Sequence, residues 1–166
     1  MATSTKIIKD EQNQLHKPFL KWAGGKSQLL RAIQEIIPKD YNSYFEPFVG
    51  SGAVYFKLIP VEKTVYINDI NTSLINVYQC TKDNVQDLLK SLGRYSKEYK
   101  ECASVESRRV YYDKKRECFN KLKNGQKNLH IQAALFIFLN KTCFNGMYRE
   151  NLRGAFNTPF GSGHTN

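Results

Sequence analysis

Two glycines and one carboxylate are the residues whose types and spacing first suggest chemistry. Gly50 and Gly52 follow the run Tyr44-Phe45-Glu46-Pro47-Phe48-Val49, and Asp69 closes the run Val65-Tyr66-Ile67-Asn68. Glycines at such a turn permit positive φ and let a ligand approach the backbone closely. An acid roughly 20 residues further on is where a nucleotide-binding βαβ unit grips ribose hydroxyls. A plain strand–turn–helix would use the same glycines, and the spacing of the acid favours a nucleoside-type ligand. A second cluster, Lys21-Trp22-Ala23-Gly24-Gly25-Lys26-Ser27, combines an aromatic ring, two glycines and a cation. It is not a phosphate loop, because that motif needs a glycine where this chain has Leu20, and a strand leading in.

The elements that must position these residues follow from local signals. Tyr44 and Phe45 suit a buried strand that ends before Pro47, which has no N–H for a ladder. Ala53 to Leu58 continues as a helix whose first amides point at the ligand. Val65 to Ile67 is the second strand. Upstream, an amphipathic helix is expected from about Gln28 to Ile37, with Leu29, Leu30, Ile33, Ile36 and Ile37 on one face and Pro38 as its stop.

After Asp69 the pattern is helical. Ile70 to Cys80 carries Leu74, Ile75, Val77 and Tyr78; Asn84 to Leu92 carries Val85, Leu88 and Leu89, with Gly93 as its cap. From Tyr95 to Lys127 basic residues outnumber acids and alternate with Tyr95, Tyr99, Tyr111, Tyr112 and Phe119. Such a stretch is either a solvated face over an aromatic inner stripe or a surface for DNA phosphates. Leu129 to Leu139 is apolar on nearly all sides, as in a helix buried between others. Asn145-Gly146 is a strong turn dipeptide, and the turns, arginines and aromatics from Asn140 to Gly161 suit a loop or hairpin laid into a groove.

The 166 residues make about one domain of chain. A net charge of +10 with pI near 9.4 favours an anionic partner, nucleic acid first. The start lacks a secretory core, and Leu129–Leu139 is too short to span a bilayer, so a cytoplasmic location without membrane attachment is expected. Cys80, Cys102, Cys118 and Cys143 are widely spaced, which indicates reduced thiols and no metal site.

Taken together, these motifs resemble the Dam-type family of DNA adenine-N6 methyltransferases, in the family's order and over most of the chain. Lys21-Trp22-Ala23-Gly24-Gly25-Lys26 resembles its N-terminal cofactor motif. Phe45-Glu46-Pro47-Phe48-Val49-Gly50-Ser51-Gly52 resembles its glycine-rich motif, and Asn68-Asp69-Ile70-Asn71 the acidic end of the second strand. Phe144-Asn145-Gly146-Met147-Tyr148-Arg149 through Phe156-Asn157-Thr158-Pro159-Phe160-Gly161 resembles the start of its target-recognition region.

The resemblance implies a Rossmann-like α/β methyltransferase fold, incomplete with about two parallel strands, followed by the helical start of the target-recognition region. Residues 1–15 would be a flexible N-terminus, 16–80 the cofactor-binding portion and 81–166 the DNA-facing portion. The implied cofactor is S-adenosylmethionine, held by Trp22, Ala23, Gly24, Gly25, Lys26, Glu46, Pro47, Phe48, Gly50, Gly52, Asp69 and Ile70. Within that set Asp69 would accept from the ribose, Lys26 would face the carboxylate and Glu46 would orient the amino group. The implied partner is double-stranded DNA with a GATC-like site. Lys21 and Arg149 would read bases, Phe144 would wedge into the duplex, and Met147 and Pro159 would make apolar base contacts beside Asn145 and Asn151. Met147 departs from the family's commonest residue there.

The family flips the target adenine and localises the lone pair of N6 with an Asp-Pro-Pro-Tyr tetrapeptide. These 166 residues contain no such tetrapeptide; Asn157-Thr158-Pro159-Phe160 lacks the first proline and falls in the recognition region. The expectation is an N-terminal portion of an enzyme, with no catalytic residue of its own, inactive alone and completed by a C-terminal polypeptide. The competing reading is a non-catalytic DNA-binding remnant; a small-molecule or RNA methyltransferase fits the Phe144–Gly161 stretch less well.

Overall fold

The computed structural model describes residues 17–123, 125 and 127–161. They form two compact units: residues 17–19 with Gly24–Ile70, and Leu20–Ala23 with residues 71–161.

The first unit is a short βαβ arrangement. A 3-10 turn, Lys26–Leu29, leads into α1 (Leu30–Ile36), followed by β1 (Ser43–Glu46), α2 (Ala53–Leu58) and β2 (Thr64–Ile67). The strands are parallel, with Phe45 opposite Tyr66 and Glu46 opposite Ile67. Parallel neighbours need a crossover, and α2 supplies it. The expected bounds of β1 and α2 hold, because a proline and a pair of glycines act within a few residues. The expected burial of β1 does not. Phe45 is 65% exposed and stacks on Tyr66 with ring centroids 4.7 Å apart. The two rings cover each other because no described element lies over that face.

The helix expected over 28–37 is split, its first turn being 3-10. Of the predicted apolar face, Leu30, Ile33 and Ile37 are half-buried, whereas Leu29 and Ile36 are exposed, Ile36 by 78%. A tight 3-10 turn rotates residues by a different angle from an α-turn, so Leu29 leaves the stripe.

The second unit is helical: α3 (Thr72–Asp83), α4 (Val85–Glu101), α5 (Val105–Leu122) and α6 (Leu129–Thr142). Asn71 caps α3, its side chain accepting from the Leu74 amide at 2.9 Å. Ser104 opens α5 with a reciprocal cap involving Ser107. α6 lies at the centre, packed against α3, α4 and α5, and is buried from Gln132 to Asn140. The aromatic stripe of α4 and α5 faces it: Tyr95, Tyr99 and Tyr111 set their rings edge-on to Phe138, and Phe119 does so to Phe136.

Gly93 is not a cap. It lies inside α4, which continues for two more turns because Tyr95 and Tyr99 extend the inward stripe onto Phe138. Those ring contacts outweigh the cost of about 1 kcal/mol for a mid-helix glycine. No helix among the described residues is long and apolar enough to cross a membrane.

Two glycines give opposite expectations. A Cβ at Gly93 meets nothing within 4 Å, so Gly93→Ala is predicted to raise stability by roughly 0.5–1 kcal/mol. A Cβ at Gly161 would come within 2.9 Å of the Cys143 carbonyl oxygen, so Gly161→Ala is predicted to lower it by about 1–3 kcal/mol. Urea unfolding followed by circular dichroism measures both; equal effects would sink the assignment.

Candidate cofactor loop and nucleic-acid interface

In the first unit, the chain after β1 turns back on the end of β2. The Asn68 amide donates to the Glu46 carbonyl and the Val49 amide to the Asn68 carbonyl, each at 2.9 Å. These bonds carry the ladder past the strands and force a tight loop, in which Gly50 and Gly52 adopt positive φ. The Gly50 amide donates to Asp69 Oδ2 at 3.0 Å. The glycine loop and the acid, read from the sequence as parts of one site, are therefore directly bonded. This amide is directed at Asp69.

Glu46 ends β1 with its side chain 5% exposed. Its Oε1 lies 3.4 Å from Lys26 Nζ, and Lys26 also donates to the Phe48 carbonyl. Its Oε2 is buried without a hydrogen-bond partner among the described residues. A buried acceptor left unpaired costs about 1–3 kcal/mol, more when charged. Burial, then the charge of Glu46 and a hydrogen bond with its side chain, push the Tyr44 hydroxyl pKa up. Pro47, Phe48 and Ile70 are exposed around this loop. A hollow of about 560 Å³ lined by Tyr55, Leu58, Ile59, Pro60 and Lys63 includes none of Glu46, Gly50 and Asp69, so volume alone does not mark the site.

Trp22 belongs to the second unit, where its ring stacks on Tyr148 at 5.5 Å and Phe136 at 6.2 Å. Ala23 follows it in the same unit, and Gly24 and Gly25 open the first.

The segment after α6 folds as an irregular hairpin. Asn145 and Gly146 both take positive φ, as their dipeptide predicts, in a 3-10 turn Phe144–Gly146. The returning arm pairs at isolated bridges, Cys143 with Phe160 and Glu150 with Phe156. Phe144 donates its amide to the Pro159 carbonyl at 2.9 Å, which sets the candidate wedge beside a candidate base contact. At the tip, Asn151 Oδ1 accepts from the Arg153 and Ala155 amides, so that side chain shapes the turn. Arg149 is exposed, and its Nε donates to Asn157 Oδ1 at 3.0 Å, which orients the guanidinium plane. Phe144 and Met147 are partly exposed.

Lys21, distant in sequence, is brought to this hairpin. Asn140, buried at the end of α6, accepts from the Lys21 amide at 2.9 Å and donates to the Lys21 carbonyl at 2.8 Å and to the Gly146 carbonyl at 3.0 Å. Asn120 treats Phe156 in the same way, accepting from its amide at 2.8 Å and donating to its carbonyl at 3.0 Å. Tyr112 and Arg116 both donate to the Thr158 carbonyl. Asn120 and Asn140 were not singled out from the sequence. For Asn140 the available signal was an amide closing an otherwise apolar helix. Lys141 was also missed: burial and then the nearby Lys21 ammonium push its pKa down, which marks a concentration of positive charge.

A parallel βαβ pair with a tight glycine loop, and a helical unit carrying a basic, aromatic-bearing hairpin, define a mixed α/β protein. Comparison with known proteins names the family. The family model for D12 class N6 adenine-specific DNA methyltransferases matches residues 22–166, and the chain belongs to that family. It is 45% identical over 152 residues to the Type II methyltransferase M.MjaIII of Methanocaldococcus jannaschii, covering 87% of this chain and 52% of that protein. It is 37% identical over 159 residues to the Type II methyltransferase M1.LlaDCHI of Lactococcus lactis, covering 91% and 50%. It is 37% identical over 147 residues to the DNA adenine methylase of Escherichia coli, covering 88% and 48%. The chain thus spans about half the length of these curated relatives.

The hairpin carries its own pH dependence. Burial raises the Glu150 pKa, but hydrogen bonds from Lys123 and Tyr148 outweigh it and hold the carboxyl below its ordinary value. A lowered folded pKa stabilises fully above the ordinary value of about 4.3 and is lost as pH falls through the folded value. Glu150→Gln is predicted to lose less stability than the parent chain between roughly pH 5 and pH 3, as read by denaturant midpoints; parallel pH profiles would contradict this.

Proposed function

We propose that this chain is the cofactor- and DNA-engaging part of an S-adenosylmethionine-dependent DNA methyltransferase that modifies adenine N6 in a GATC-like site. On this reading the βαβ pair is part of a Rossmann-like sheet, in which ligands lie beyond the carboxyl ends of the strands. The observation that carries it is at that end: a buried carboxylate, Glu46, next to a glycine loop fastened to Asp69.

When bound, S-adenosylmethionine supplies a methyl group on an electrophilic sulfonium. Asp69 accepts hydrogen bonds from the ribose hydroxyls, and Glu46 Oε2 accepts from the amino group. Lys26, held by Glu46 and the Phe48 carbonyl, faces the carboxylate. Gly50 and Gly52 admit the ligand to the backbone, and Pro47, Phe48 and Ile70 border it.

The helical unit engages the duplex. Lys21 and Arg149 read base edges, each contact worth about 1–3 kcal/mol of discrimination. Phe144 wedges into the stack of the flipped site, Met147 and Pro159 touch bases through apolar atoms, and Asn145 and Asn151 flank them.

Activation of N6 needs acceptors that localise its lone pair. Within these 166 residues no Asp-Pro-Pro-Tyr is present, so that role is assigned to a complementary polypeptide. Parallel sheets are ordinarily covered on both faces. Phe45, Phe48, Val61, Tyr66 and Ile70 are exposed in the first unit, which supports such a cover.

Two measurements test the proposal. Calorimetry should detect S-adenosylmethionine binding to the chain, weakened by about 1.5–3 kcal/mol, roughly tenfold or more, in Asp69→Ala; no binding would leave the DNA-binding remnant as the better reading. Labelled donor with a GATC duplex should give no turnover by the chain alone, and turnover without added polypeptide would refute that half of the proposal.

A further inference from the structure

The Asn140 side chain makes three hydrogen bonds, and all three go to backbone groups of the two segments carrying candidate base-reading residues. With Lys21 it pairs as a neighbouring strand would, one bond in each direction, across 119 positions of sequence. Its second donor holds the Gly146 carbonyl in the turn that carries Phe144 and Met147. The segment is also seated by shape. A Cβ at Gly146 would lie 2.5 Å from Lys21 Cδ and 2.7 Å from Lys21 Cβ, so the lysine stem lies directly across the turn. Neither carbonyl could accept from a side chain lacking a hydrogen-bond donor.

We infer that Asn140 is a positioning residue for sequence discrimination, fixing the Lys21 backbone and the Phe144–Gly146 turn as one body so that lysine and wedge reach the duplex in register. This rests on the reading of Lys21 as a base-contacting residue given above. Asn140 touches no base. It acts because a charged contact to a guanine edge discriminates only when its donor is held to a fraction of an ångström, whereas phosphate attraction tolerates a wandering lysine.

The test compares the affinity of the 166-residue chain for a GATC duplex and for one with the outer guanine replaced, by fluorescence anisotropy. Asn140→Asp keeps the side-chain shape and an acceptor for the Lys21 amide, but loses both donors when ionised and one of the two when protonated. Its cognate preference should fall about tenfold, as in Lys21→Ala. Its affinity for the altered duplex, and the salt dependence of that affinity, should change little. Combined with Lys21→Ala it should cost no further preference, since it acts through Lys21. A residue that only stabilised the unit would weaken both duplexes alike, leave the ratio intact and add to Lys21→Ala. Should Asn140→Asp fail to fold, Asn140→Ser decides the matter, because the smaller side chain keeps an acceptor but at most one donor for the two carbonyls; it should lower the same ratio. Retained preference in the folded variants overturns the inference alone. A parent chain without cognate preference overturns the reading of Lys21, and the inference with it.

Discussion

A helix without a polar face cannot stand at a surface, and α6 is such a helix. From Ala133 to Leu139 every residue is apolar and buried, so the unit must cover it all round. α3, α4 and α5 do so, each turning an apolar or aromatic stripe toward it. The two polar residues that bound the run are buried with it and need partners. Gln132 Nε2 donates to the Gly125 and Lys127 carbonyls, which ties down the approach to α6. Asn140 does the corresponding work at the far end, where its partners are Lys21 and Gly146. Burial of one helix thus leads to fixed geometry in the segment that carries the candidate base-reading side chains.

Charge in this chain is less available than its total suggests. Lys115 sits over the rings of Tyr95 and Tyr111 at 4.4 and 4.7 Å and pairs with Glu98 at 3.0 Å. Arg94 lies over Tyr95 and Arg108 over Tyr99, while Arg116 pairs with Asp113. A cation over an aromatic face is attracted by the ring quadrupole, and its stem adds apolar cover. Lys115 and Arg108 join α5 to α4, whereas the Arg94–Tyr95 and Arg116–Asp113 contacts lie within α4 and within α5. Lys21 and Arg149 are exposed and take part in no salt bridge among the described residues.

What could be read from the sequence is what acts within a few residues. Pro47 ends β1, the glycine pair opens the loop before α2, and Asn145-Gly146 makes its turn, because each is settled by local sterics. The nearness of Asp69 to the Gly50 bend was legible as a spacing, since two adjacent parallel strands bring their ends together, but the bond between them was not. Features decided by tertiary contact were not legible. Gly93 looks like a stop until the rings of Tyr95 and Tyr99 are seen against Phe138. Phe45 looks buried until its face of the sheet is seen uncovered. Asn140 looks like the polar end of a helix, because nothing nearby in sequence announces a partner 119 positions away.

The second unit also shows how backbone is held where no sheet exists. Its hairpin has only isolated bridges, so few of its amides and carbonyls find partners in a ladder. Side-chain amides and carbonyl-seeking donors take that place. Asn120 and Asn140 pair with backbone in both directions, Asn151 closes the tip, and Tyr112, Arg116 and Lys123 anchor carbonyls of the returning arm. A ladder would fix the backbone equally well, but it would use the donors and acceptors along one whole edge and flatten the segment. Holding a few chosen groups from below leaves the outer side chains standing on an irregular, turned backbone. On the proposed reading, such a backbone suits a reader of base edges, with lysine and wedge held together by Asn140 and the arginine oriented by Asn157.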